Sequence, residues 1–289
     1  GANNTALGLC ANSTSTDRND NTAIGYLALK VNTGTGNTAV GAYSADSNTS
    51  ATGITSIGNR ALCSNTTGAD NTAVGMCSLK ANTTGTLNTA IGTCALHTTT
   101  TGGCNVAVGN CSLLINTTGS KNAAFGSGTM RCNTTGGFNT AIGRQTLFNN
   151  TTANYNTAVG FASMVANTTG EQNTVVGVEA LDANTTGSDN VAMGITALSA
   201  NTTGGNNTAI GASALFDNTT GYANVAVGGG ALANNTTGFG NVSIGLNSMS
   251  ANTAGEDNVS IGCRSMDANT SGDCNTFVGK DAGLSNTVG

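Results

Sequence analysis

The chain has 289 residues, with nine Lys and Arg against fourteen Asp and Glu, one His and a formal net charge of −5. Charged residues make up 8% and aromatic residues 4%, with neither Trp nor Pro, which excludes a thick aromatic-rich core. The basic residues form no stripe, so the electrostatic footprint of nucleic-acid binding is missing, and no apolar run approaches the roughly 18 residues of a membrane-spanning helix.

From the start the chain is periodic. Gly1-Ala2-Asn3-Asn4 is already in phase with the later copies of the repeat, which reads as a mature or trimmed product whose targeting segment lies outside this sequence. The anchor is Asn-Thr-Ala-Val-Gly, as at Asn71-Thr72-Ala73-Val74-Gly75, returning as Asn88-Thr89-Ala90-Ile91-Gly92 and Asn105-Val106-Ala107-Val108-Gly109. Its closing glycines run from Gly8 to Gly279 in steps of 17, except for one step of 16 between Gly25 and Gly41, which makes 17 copies. A period this short and strict predicts an all-β fold: a parallel β-solenoid (β-roll or β-helix) of 17 rungs, with residues 1–289 forming a single repeat array.

Within each rung the residues leading to the glycine read as a strand. The residue before Gly is always apolar, the one two before is Ala or Ser (Val175 and Phe277 excepted), and the one three before is Thr or Val (Ala123 excepted). The residue four before is Asn in every rung but the one holding Ile54. Alternation of β-branched residues predicts one aliphatic strand face. On this reading Val74, Ile91 and Val108 stack as buried neighbours, with Leu79 and Leu96 beside them, and the Asn row bonds amide to amide from rung to rung.

After Gly come two variable positions, a small residue and then Leu or Met, as in Ser78-Leu79, Ala95-Leu96 and Thr129-Met130. This segment is either a short second strand or a tight turn that tucks the Leu inward. Flanking positions hold Arg60, Lys80, Glu179 and Asp182 and so face water. Asn-Thr-Thr-Gly then makes a corner, because Asn tolerates and Gly freely adopts left-handed backbone. Stacked about 4.8 Å apart, 17 rungs would give a rod of about 80 Å. The stretch from Asn12 to Asn21 and the closing Ala282-Gly283-Leu284 depart from the pattern. Neither end has an obvious cap, which predicts homo-oligomers by end-to-end stacking, with lateral trimers through the small Ala/Ser row as the alternative.

The phrase Asn-Thr-Ala-Ile/Val-Gly-x-x-Ala-Leu resembles the YadA-like head repeats of trimeric autotransporter adhesins. The Asn-Thr-Thr-Gly corner is similar to repeats of phage tail-fibre-type proteins. The resemblance spans nearly the whole chain and implies an elongated extracellular fibre or adhesin, at a cell or virion surface, with self-association and a cell-surface or carbohydrate ligand. A second functional reading is an ice- or carbohydrate-binding solenoid that uses its threonine rows.

Little else carries chemistry. His97 is the one histidine and nothing around it completes a nucleophilic triad. No zinc spacing, Cys-x-x-Cys or phosphate loop occurs. The expectation is a protein that is not an enzyme and takes no cofactor or metal. Nine cysteines are present, and Cys77, Cys94 and Cys111 occupy one position of three successive rungs, at a spacing a disulfide accepts. Cys104 is a candidate neighbour, and Cys263 and Cys274 share a rung and could close locally. Free cysteines are the simpler alternative. Finally, the corner meets the N-glycosylation acceptor pattern Asn-x-Ser/Thr at Asn48, Asn65, Asn82, Asn116, Asn133, Asn150, Asn167, Asn184, Asn201, Asn218, Asn235 and Asn269. Glycans there would form a solubilising row down one edge.

Overall fold

The computed structural model describes residues 3–14 and 19–288. It contains seventeen strands of three residues each, and no helix among the described residues. The contacts divide the chain into two units, between Arg144 and Gln145 in sequence. The first holds β1 (Thr5–Leu7) to β9 (Thr140–Ile142), the second β10 (Thr157–Val159) to β17 (Thr276–Val278). Within each unit successive strands pair in parallel and in register, one rung apart: Thr72 with Thr89, Ala73 with Ala90, Val74 with Ile91, and likewise Val225 with Val242. Each unit is therefore a parallel β-solenoid. Of the irregular opening stretch, residues 15–18 lie outside the described residues.

The core differs from the sequence expectation in one respect. The buried strand position is the middle one, Ala23, Ala39, Ser56, Ala73, Ala90 and Ala107. The residue before Gly points outward: Ile91 is 41% exposed, Phe125 41% and Ile142 43%. Val74, Ile91 and Val108 do stack, but on the surface. The reason is space. A rung closes on itself within 17 residues, and opposite each strand lie the fully buried Leu79, Leu96 and Leu113 with the small residue before each. Two bulky aliphatic rows cannot both fit so thin an interior, so the strand contributes only a methyl or hydroxymethyl group. Full burial of each Leu is worth roughly 1.5–3 kcal/mol. The inward Ala/Ser row is for the same reason unavailable as a lateral trimer surface.

The segment after Gly is a turn. Ser78 N–H donates to Gly75 O at 3.3 Å, with Cys77 at φ 57°, and Asn82 N–H donates to Leu79 O at 3.1 Å. Left-handed backbone recurs at Cys77, Leu79 and Leu87, and at the equivalent positions of other rungs. Such residues cost of order 1–2 kcal/mol each without a glycine. The cost is offset because their N–H groups bond to neighbouring rungs: Cys77 to Asn59 O at 3.0 Å, Leu79 to Ala95 O at 3.0 Å, Leu87 to Ala69 O at 3.2 Å. At the strand end only glycine serves. Gly109 has φ 137°, and a Cβ there would lie 2.4 Å from Gly126 O.

The step of 16 residues leaves the strands in register, Thr22 with Thr38. The residue is lost from the corner, where one threonine is missing and Gly34 O accepts from both Asn32 Nδ2 and Asn21 Nδ2, at 3.0 and 3.2 Å.

Candidate functional site

Three features of the rung carry the chemistry: two buried asparagine rows, the corner threonines, and the outward face of the strands. The corner asparagines are fully buried. Asn65 Nδ2 donates to Asn48 Oδ1 at 3.1 Å and to Gly68 O at 3.0 Å, and Asn82 Nδ2 to Asn65 Oδ1 at 2.7 Å. The second row, one residue before each strand, does the same with both its groups. Asn105 N–H and Nδ2 donate to Asn88 Oδ1 at 3.0 and 3.1 Å, and Nδ2 also reaches Gly119 O at 2.9 Å. A buried amide is costly unless satisfied, and along both rows a copy in a neighbouring rung satisfies it, except at Asn12 Oδ1 and Asn82 Oδ1. Ile54 interrupts the second row and is itself buried, its N–H on Asn37 Oδ1 at 3.1 Å.

This geometry overturns the glycosylation expectation. Asn48, Asn65, Asn82, Asn116, Asn133, Asn150, Asn167, Asn184, Asn201, Asn218, Asn235 and Asn269 are all at zero exposure. The amide nitrogen that a glycan would occupy is the ladder donor, facing the interior. The turn chemistry was legible in Asn-Thr-Thr-Gly, but the direction of the Asn side chain was not.

Of the two cysteine readings the structure has the free one, at all nine positions. Cys77, Cys94 and Cys111 do share one edge of the first unit in successive rungs. Burial pushes the Cys94 thiol up, with Cys77 and Cys111 adding to the shift. Cys63 is raised too, by burial first. Cys104 sits at a different corner, its N–H on Thr86 O at 3.0 Å. Cys274 is exposed and bonds Glu256 O, while Cys263 follows the anchor Gly262, so the two lie on separate turns of their rung.

The threonines divide into two classes. Those of the corner spend their hydroxyls on the next rung: Thr66 Oγ1 donates to Thr83 O at 2.9 Å and Thr168 Oγ1 to Thr185 O at 3.0 Å. Those that open the strands, such as Thr55, Thr72 and Thr89, face outward beside Ile57, Val74 and Ile91 and make no hydrogen bond through the hydroxyl. The threonine rows read from the sequence did not separate these two classes. The signal was the small residue between two β-branched ones.

Neither family models nor curated proteins match the chain. Among the described residues, no group of three His, Cys, Asp or Glu could hold a metal ion, and no helix is long and apolar enough to cross a membrane. His97 is half-buried, and burial with Lys80 nearby lowers its pKa.

Proposed function

We propose that this chain is a structural, non-enzymatic subunit of an extracellular fibre or adhesin that assembles by stacking rung on rung. The observation that carries this reading is the asparagine ladder. Each rung offers Oδ1 acceptors on one side and Nδ2 donors on the other, as in the run Asn201, Asn218, Asn235, Asn252. The pattern resumes after its two interruptions, at Ile54 and Thr99, so a rung of another copy is a chemically competent neighbour. Backbone edges add to this, because an unpaired strand templates another.

The resemblance of Asn-Thr-Ala-Ile/Val-Gly-x-x-Ala-Leu to adhesin head repeats supports the same role, and a cell-surface glycan is the ligand such a role would take. Sedimentation over a wide concentration range, with electron microscopy of the concentrated sample, tests it. Filaments with an axial repeat near the strand spacing of about 4.8 Å are expected. A monodisperse monomer at every concentration would overturn the proposal.

A further inference from the structure

The outward strand face of the first unit carries a feature the stacking role does not use. In six successive rungs the strand begins with Thr and ends with Leu, Ile or Val, from Thr5-Ala6-Leu7 to Thr89-Ala90-Ile91. Their registers are unbroken: Thr22 lies beside Thr38, Thr38 beside Thr55, Thr55 beside Thr72. The face therefore carries two parallel rows, one of hydroxyls and one of branched methyls. Each row repeats about every 4.8 Å across strands, and the two rows lie about 6.7 Å apart.

The chemistry of the array narrows what it could bind. None of these threonine hydroxyls is engaged within the chain, unlike those of the corner. None of the strand residues in these six rungs is charged. The array then degrades, as Val106 and Ala123 replace the threonine and Phe125 the small aliphatic residue.

Rows that repeat strictly over six rungs and carry no charge suit an uncharged partner that itself repeats regularly, as a crystal surface does. We infer that this face binds ice. Ice presents oxygen rows with a repeat close to the spacing between strands. The methyl groups hold first-shell water in ordered cages, and each free Thr Oγ1 anchors one of those waters by a hydrogen bond as good as a direct one. Neutral face and neutral lattice agree in charge, and a rigid ladder loses little freedom on contact.

The inference does not depend on the fibre reading. Its test uses the full chain and ice itself. The unmodified protein should partition into a slowly grown ice hemisphere and produce thermal hysteresis. Thr55→Tyr and Thr72→Tyr, which place bulk on the array, should lose both effects with the circular dichroism unchanged. Thr67→Tyr, at an exposed corner position off this face, should retain them. Exclusion of the unmodified protein from ice overturns the inference, as does equal loss in the corner variant. Should the unmodified chain instead self-associate in a manner that Thr55→Tyr abolishes, with no ice activity, the face belongs to a second copy and the inference fails.

Discussion

Thr99 takes the place of asparagine in the buried corner row directly after Asn82, and Asn82 Oδ1 is left without a hydrogen-bond partner. On its other side Thr99 Oγ1 still accepts from Asn116 Nδ2, at 3.3 Å. The ladder is thus broken in one direction only. Thr99→Asn should restore the missing donor. Leaving a buried acceptor unmade costs about 1–3 kcal/mol, so the variant is expected to unfold later by a comparable amount, read as a shift of the urea or thermal midpoint. An unchanged or lower midpoint would refute this account of the row.

Gly109→Ala should be among the most damaging single changes in the chain. The new Cβ meets Gly126 O at 2.4 Å, and φ 137° is closed to alanine. The clash is with backbone that cannot rotate away, so a loss of more than about 3 kcal/mol is expected. Gly36→Asp is the control. Its φ of 68° is the ordinary left-handed region, a Cβ there meets nothing within 4 Å, and Asp70 occupies the equivalent position of another rung at φ 56°. That variant should cost little, measured on the same thermal scale.

Expressed in a glycosylating host, the folded chain should carry no N-glycan at the twelve corner asparagines. Glycopeptide mapping should find all twelve unoccupied, whatever the exposed acceptor sequences at Asn110, Asn149, Asn206 and Asn234 carry. A glycan on Asn65 or Asn184 would mean the corner amides leave the ladder.

Burial without a partner for Oδ1 raises the Asp46 carboxyl above its ordinary value near 3.8, with Lys30 and Arg60 opposing the shift. The folded state then binds more protons than the unfolded one between 3.8 and the raised value, so stability falls as pH rises through that window. Asp46→Asn should remove this dependence and raise the midpoint at neutral pH. The difference between variant and parent, followed from acid to neutral pH, should grow across the window and then level off. A constant difference would sink the assignment.

Raised thiols are poor nucleophiles, because thiolate is the reactive form. Cys63 and Cys94 should therefore alkylate at neutral pH more slowly than the exposed Cys10, Cys104 and Cys274. Peptide mapping after a short iodoacetamide pulse would reveal the order. Full modification at Cys94 ahead of Cys104 would contradict it.

The period, the strand position and the register were legible because one strict repeat encodes all three. What was not legible was direction. Thr-Ala-Val alternates equally well with either face inward, and pattern alone favours burying the Val. The deciding quantity is the width of the coil, which Leu79 and Leu96 fill from the opposite side. The same blindness produced the glycan expectation: Asn65-Thr66-Thr67-Gly68 is a corner by composition, but only the closure of the rung turns the Asn65 amide inward. The free hydroxyls of Thr55 and Thr72 emerge only with the corrected direction.

The asparagine rows also have a sense. In each of them one Nδ2–H points toward the preceding rung and Oδ1 toward the following one, as from Asn82 onto Asn65 and from Asn105 onto Asn88. Side-chain amide dipoles in such a row add head to tail, as peptide dipoles do in a helix. That sense belongs to the asparagine rows alone, since corner hydroxyls such as Thr66 Oγ1 and backbone donors such as Leu79 N–H run the other way, onto Thr83 O and Ala95 O of the following rung. The two faces of a rung are therefore chemically different, and only a rung set down in the same orientation continues every row at once.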